Sequence, residues 1–313
     1  MREESTRSPK TRIAFKPSGP GILRAFRAGK FVKLDFPERR SYLGKWLVQG
    51  STNLIYAKRG VGKSELTLWM AYSLAKGKPF LGWDVPQPLN TIVLDGEMHP
   101  SELRKRIRRI RRALGVITKS NAAQMKVVSA MLTPPPVPDL STQEGREALT
   151  KIIGSADVVI IDNLSAWDRS GREDADSWSR LTGWMQDLTR AGVAVIVVHH
   201  AGKSGDQRGT SRREDMMDTV IKLVPSKGTD HGGLQFDLHF TKAKHVAGRA
   251  IASRTVRLGK DEEGRYFLDM QIHKRPTDWQ DTATKLHAEG KSDAEIGKLV
   301  GKNRSTVYRL FKK

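Results

Sequence analysis

Across 313 residues, 55 Lys and Arg stand against 34 Asp and Glu, and the resulting net charge of +21 favours a polyanionic partner, nucleic acid first. There is no cysteine, which excludes disulfides and thiolate metal sites. No apolar run approaches a membrane span and the first residues lack the apolar segment of a signal peptide, so a cytoplasmic protein without membrane contact is expected, long enough for one large domain and a small second one.

In chain order, residues 1–21 are rich in Lys, Arg, Ser and Pro and are expected to form a flexible basic arm. Residues 22–275 are expected to be an α/β domain. Within it, residues 33–46 mix aromatic and apolar side chains with a proline and should pack as a lead-in, their aromatics in the core. Residues 52–75 read as an apolar strand, a glycine-bearing loop and a helix, the context of a phosphate-binding loop. Gly60 and Gly62 permit positive φ and close approach of backbone N–H groups to phosphate oxygens, while the following helix aims its positive dipole end at them. The segment from Gly60 through Val61, Gly62, Lys63 and Ser64 to Glu65 is therefore the candidate ATP-binding stretch, with Lys63 as the cation for the β and γ phosphates and the Ser64 hydroxyl as a Mg²⁺ ligand. The first glycine of the motif G-x-x-x-x-G-K-[S/T] is Ala57 here, which must then take the strand-to-loop bend without a glycine's freedom.

Residues 91–94 form a β-branched run leading into Asp95-Gly96-Glu97, expected as a second buried strand and its exit turn. A helix follows over 101–114. Leu103, Ile107, Ile110 and Leu114 fall on one stripe, so the seven Lys and Arg from Arg104 to Arg112 must face elsewhere, as a solvated surface or as a DNA or subunit contact. Residues 125–130 suggest a third strand, 133–140 an irregular proline-rich connection and 143–153 a helix. The continuous apolar run at 156–163 closes on Asp162, as a buried parallel strand with a magnesium-holding carboxylate would. Because Asn163 follows, no carboxylate is adjacent to act as base, and Glu97 becomes the candidate to deprotonate water, with Asp95 its rival. A polar loop is expected at 165–176, a helix to about 189, and a buried strand at 193–200 ending in His199 and His200. Strands alternating with helices describe a mostly parallel sheet; from residue 219 the pattern changes to short antiparallel strands that would extend one side of it.

The stretches Gly60-Val-Gly-Lys-Ser64, Asp95-Gly-Glu97, Ile160-Ile-Asp-Asn163 and Val197-Val-His-His-Ala-Gly-Lys203 together resemble RecA-like AAA family ATPases, and among them the plasmid RepA-type hexameric replicative helicases, over roughly residues 45–223. The resemblance implies a RecA-like fold, Glu97 as catalytic base, His200 as a γ-phosphate sensor and Arg208 as a finger reaching the neighbouring subunit's nucleotide. It also places the loops at 165–176 and 201–215 toward single-stranded DNA in a ring channel, with Lys203, Arg212 and Arg213 among the contacts and Trp167 their sole aromatic stacking candidate.

From residue 276 the composition shifts to a small all-α tail: a helical run over 280–289, a capping box at Ser292-Asp-Ala-Glu295 opening a second helix through Val300, a turn at Gly301 and a third helix over 303–310. This is a helix-turn-helix pattern, and residues 286–311 resemble the DNA-binding domain of resolvase and invertase recombinases. Arg304, Ser305, Thr306, Tyr308 and Arg309 are its candidate DNA contacts, with Leu299, Val307 and Leu310 expected inside. The expected function is an ATP-hydrolysing, ring-forming DNA motor, a replicative helicase of a plasmid, phage or mobile element; the alternative is an ATP-switched DNA-binding regulator or initiator that unwinds nothing.

Overall fold

A computed structural model describes residues 25–115, 123–169, 175–201, 214–226, 233–273 and 279–312. The expected arm at 1–21 lies outside them. Six parallel strands form the centre of a nine-stranded sheet: β3 (Thr52–Ala57), β4 (Thr91–Asp95), β5 (Met125–Ser129), β6 (Val158–Asp162), β7 (Ala194–His200) and β8 (Thr219–Pro225). Three antiparallel strands, β9 (Leu234–Ala243), β10 (Arg254–Lys260) and β11 (Tyr266–Ile272), extend it beyond β8, and the order across the sheet is β11-β10-β9-β8-β3-β7-β6-β4-β5. The sheet is thus mostly parallel with an antiparallel extension, but the extension starts one strand later than expected: β8, expected as the first antiparallel strand, runs parallel to β3, and the direction reverses only at β9.

Burial on both faces explains the unbroken apolar runs. In β6 every residue is buried; Val158 and Ile160 join one core, while Val159 and Ile161 join the other. The first core takes α2 (Lys63–Lys76) and α3 (Pro100–Leu114); the second takes α4 (Gln143–Ile153), α5 (Leu164–Trp167) and α6 (Ala175–Arg190). This two-sided cover is what parallel strands need. A two-stranded ribbon, β1 (Ser41–Leu43) with β2 (Leu47–Val48), closes the first core beside a triad of mutually edge-on rings, Trp46, Trp83 and Phe240, with centroids 5.6–5.7 Å apart. Arg254, 1% exposed, lays its guanidinium 3.7 Å over Trp83 and donates to the Leu81 and Ala252 carbonyls; burial lowers its pKa to about 10.

Several expectations need correction. Tyr42 and Trp46 are core, but Phe36 in the same lead-in is exposed and packs on Phe31 of a short helix, α1 (Ala28–Phe31). The expected loop at 165–176 opens with the helical turn α5, capped by the Asn163 side chain accepting from Ala166 N–H. The tail forms α7 (Trp279–Ala288), α8 (Asp293–Val300) and α9 (Arg304–Phe311) around Ala283, Ile296 and Val307. The Ser292–Glu295 capping box is present, and Gly297 meets the Lys302 backbone so closely that a Cβ would clash. Val307 is buried and Leu310 half-buried, but Leu299 is 62% exposed, on the outer face of α8. No helix among the described residues is long and apolar enough to cross a membrane.

Candidate nucleotide-binding site

The carboxyl ends of β3, β4, β6 and β7 open into one cleft of about 760 Å³, the crevice where open α/β sheets hold ligands. Its floor is the loop between β3 and α2. Gly60 (φ +81°) and Gly62 (φ +112°) both take conformations that suit glycine, and a side chain at Gly62 would run into Leu234 of β9. Ala57, the residue that replaces the motif's first glycine, raises no strain: it is the buried last residue of β3, still in extended backbone. The bend begins after it. Lys63 is 5% exposed, and its ammonium donates to the Ala57 carbonyl at 3.0 Å and the Lys58 carbonyl at 3.1 Å. Burial lowers its pKa against the upward pull of Asp162 and Glu97.

Asp162 is buried at the end of β6, hydrogen-bonded by the Ser64 hydroxyl and by Thr67 Oγ1 at 3.4 Å, with burial raising its pKa. Glu97 lies on the four-residue link between β4 and α3, its side chain 57% exposed and its Oε2 4.0 Å from His200 Nε2. His200 stays largely neutral at pH 7, because burial and then Lys63 push its pKa down. Asn163 Oδ1 accepts from Ala166 N–H, so its amide nitrogen faces His200 Nε2 at 3.1 Å and donates to it, which leaves the hydrogen on a buried Nδ1 that has no partner among the described residues. Asp95, the rival base, is occupied: its Oδ1 accepts from Met98 N–H at 2.9 Å, and burial, with the charges of Asp162 and Glu97, raises its pKa to about 6.

The structure brings Gly60, Gly62, Lys63, Ser64, Glu65, Glu97, Asp162 and His200 to this cleft, and Val61 is buried within the loop. The Glu65 carboxylate, however, turns away to Arg106 and Arg109 of α3, so only its backbone N–H is left for a phosphate. Trp167 is fully buried, its indole donating to the Leu94 carbonyl, and is no base-stacking platform. Arg208, Lys203, Arg212 and Arg213 lie outside the described residues. In the tail, Arg304, Ser305, Tyr308 and Arg309 are exposed, while the Ser305 and Thr306 hydroxyls both donate to the capping Asn303. Four further lining residues, Arg106, Arg109, Lys260 and Tyr266, carry no motif. The available signal is positional: Arg106 and Arg109 flank Ile107 and Ile110 on the edge of the apolar stripe, where helical side chains are half-buried.

A sequence profile described as an AAA domain matches residues 22–206, more than half of the chain. The chain belongs to this AAA-domain family. It thereby stands among P-loop ATPases. No curated protein matches the chain. Among solved structures, a KaiC-like protein of the archaeon Pyrococcus horikoshii is similar at 13% identity and a TM-score of 0.48, over 72% of this chain and 91% of that one. The flagellar accessory protein FlaH of Methanocaldococcus jannaschii is similar at 15% identity and a TM-score of 0.48, over 71% and 91%.

The residues of this AAA domain fit a magnesium nucleotide. Gly60 leaves the backbone open just before a 14-residue helix, and a hydroxyl and a carboxylate already touch each other at Ser64 and Asp162. One hydroxyl and one carboxylate match the usual Mg²⁺ site, in which one or two protein ligands act with phosphates and water.

Proposed function

We propose that this chain is an ATP-hydrolysing motor that assembles as a ring, six-membered in the resembling helicases, on single-stranded DNA and serves as a replicative helicase of a plasmid, phage or mobile element. The observation that carries the catalytic part is the convergence of Lys63, Ser64, Asp162, Glu97 and His200 on one cleft. Ser64 and Asp162 would hold a Mg²⁺ ion, which would supply charge neutralisation to the phosphates. In this reading Lys63 exchanges the Ala57 and Lys58 carbonyls for phosphate oxygens. Glu97, the exposed carboxylate at the mouth, orients a water and takes its proton, while His200 gives up its Asn163 contact and, in the tautomer that carries the hydrogen on Nε2, donates to the terminal phosphate. Arg208 acts in the neighbouring subunit's site. The DNA part is supported by the +21 charge and by the tail, residues 276–313, as a helix-turn-helix that presents Arg304, Tyr308 and Arg309 to a duplex.

ATP turnover measured with and without single-stranded DNA, alongside strand displacement from a forked duplex, tests the reading. Stimulated turnover with unwinding is expected. The exposed recognition surface of α9 favours a second reading, an ATP-switched regulator that binds duplex sites, and turnover indifferent to single strands with no displacement would select it.

A further inference from the structure

The cleft contains an acidic side chain that the nucleotide chemistry does not use. Glu65 follows the magnesium-ligand candidate Ser64 in the first turn of α2, a poor place for a free carboxylate because it faces the region that must receive phosphate charge. It is neutralised from a different element. Its carboxylate lies 3.3 Å from Arg106 Nη1 and 3.2 Å from Arg109 Nη2, and its Oε1 accepts from the Trp69 indole at 3.3 Å, all with 7% exposure of the Glu65 side chain. Arg109 in turn sets its guanidinium 5.1 Å from the Tyr266 ring centroid, tying in β11.

α3 is also the element that leads directly out of the Glu97 link. At its β4 end that link is pinned by Asp95 accepting from Met98 N–H and by Gly96 N–H donating to the Asp162 carbonyl at 2.8 Å. On the α3 side, Arg106 and Arg109 join the helix to Glu65 of α2, about three turns beyond Glu97. We propose that Glu65 is a positioning residue: through Arg106 and Arg109 it holds α3 against the phosphate-loop helix, and so holds Glu97 at its working distance from the phosphate end. The inference rests on the ATPase reading above.

Glu65 therefore has two opposite effects. Its charge repels phosphate and occupies two guanidinium groups, so it weakens nucleotide binding; its clasp places the base, so it raises turnover. Glu65→Gln keeps the shape and the Trp69 bond while removing the charge that holds both arginines. The expected result is a split: nucleotide dissociation constant lowered about three- to tenfold, kcat lowered about tenfold. An ordinary folding lesion would weaken binding as kcat falls. Arg109→Gln, at a side chain 31% exposed, should lower kcat similarly, and the Glu65→Gln/Arg109→Gln double variant should be no worse than the poorer single one. Binding is read by titrating a fluorescent ATP analogue with Mg²⁺ into the full chain, and kcat by phosphate release.

Wild-type kcat in Glu65→Gln, a fall in kcat accompanied by weaker binding, or additive losses in the double variant would each overturn the proposal. If Glu65→Gln does not fold, kcat of Arg109→Gln alone decides: a value within twofold of wild type overturns it. An inactive wild type that also fails to bind the analogue would instead break the ATPase reading itself.

Discussion

α2 and α3 flank the same cleft and are built on opposite principles. α2 is buried along almost its whole length, from Lys63 to Ala75, between left-handed glycine caps at Gly62 and Gly77. It is apolar nearly all round because sheet, ribbon and α3 enclose it. α3 buries only Leu103 and Ile110 fully and turns Arg104, Lys105, Arg108, Arg111 and Arg112 to solvent. In a buried helix each side chain's environment is dictated by its position. On an amphipathic helix a run of like charges conceals two populations, and here the two cations at the margin of the stripe enter the site while five do not.

The sharpest contrast lies at the phosphate end. Lys63→Ala, in the first turn of α2, should remove nucleotide binding altogether, at least about 100-fold by analogue titration, since Lys63 is the buried cation at the base of the phosphate loop. Glu97→Gln, just before α3, should leave binding intact and lower turnover by about 10²–10⁴. A Glu97→Gln enzyme that turns over normally would hand the role to another carboxylate.

Packing comes next. Ile110→Ala, at 0% exposure on the inner stripe of α3, should cost about 2–5 kcal/mol in denaturant unfolding. Asp95, at the end of β4 that feeds α3, should give a pH signature. Its folded pKa of about 6 lies above the unfolded value, so its contribution to stability is complete below about pH 4 and is lost as pH rises through 6. Unfolding free energy should therefore decline by about 2–3 kcal/mol across that window, and Asp95→Asn should flatten the slope while leaving turnover within a few-fold. An unchanged slope in Asp95→Asn would refute this origin. The smallest effect belongs to Arg108→Ala on the outer face of α3, within about 0.5 kcal/mol of wild type; a larger loss of stability would place it among the pairing cations.

The same contrast explains what could be read from the chain. β6 and β7 were legible because strands buried on both sides are apolar at every position and close on a polar residue, Asp162 or His200. The phosphate loop was legible because its chemistry is local. Arg106 and Arg109 were not separable from their five neighbours, since their partner Glu65 is some forty residues away in sequence and is brought near only by helix packing. Trp167 stood in an apparently polar loop, and only the fold shows it sealed beneath the Leu94 carbonyl. Leu299 failed in the other direction: an eight-residue helix with apolar residues at 296, 299 and 300 is too short to define an inner face, and Ile296 and Val300 take it instead. Ala57 departed from the motif without consequence because the backbone there is still strand.

That last residue bears on calorimetry. The Ala57 carbonyl oxygen has two lone pairs, and both are taken, one by the Lys63 ammonium and one by Ala201 N–H at 2.9 Å at the exit of β7. A phosphate does not meet an idle cation. It must draw Lys63 away from two carbonyls, so the heat released on nucleotide binding measures an exchange of hydrogen bonds. The observed enthalpy should be well below what a count of new phosphate contacts would suggest, and affinity at this loop should respond to changes at Ala201, which does not line the cleft.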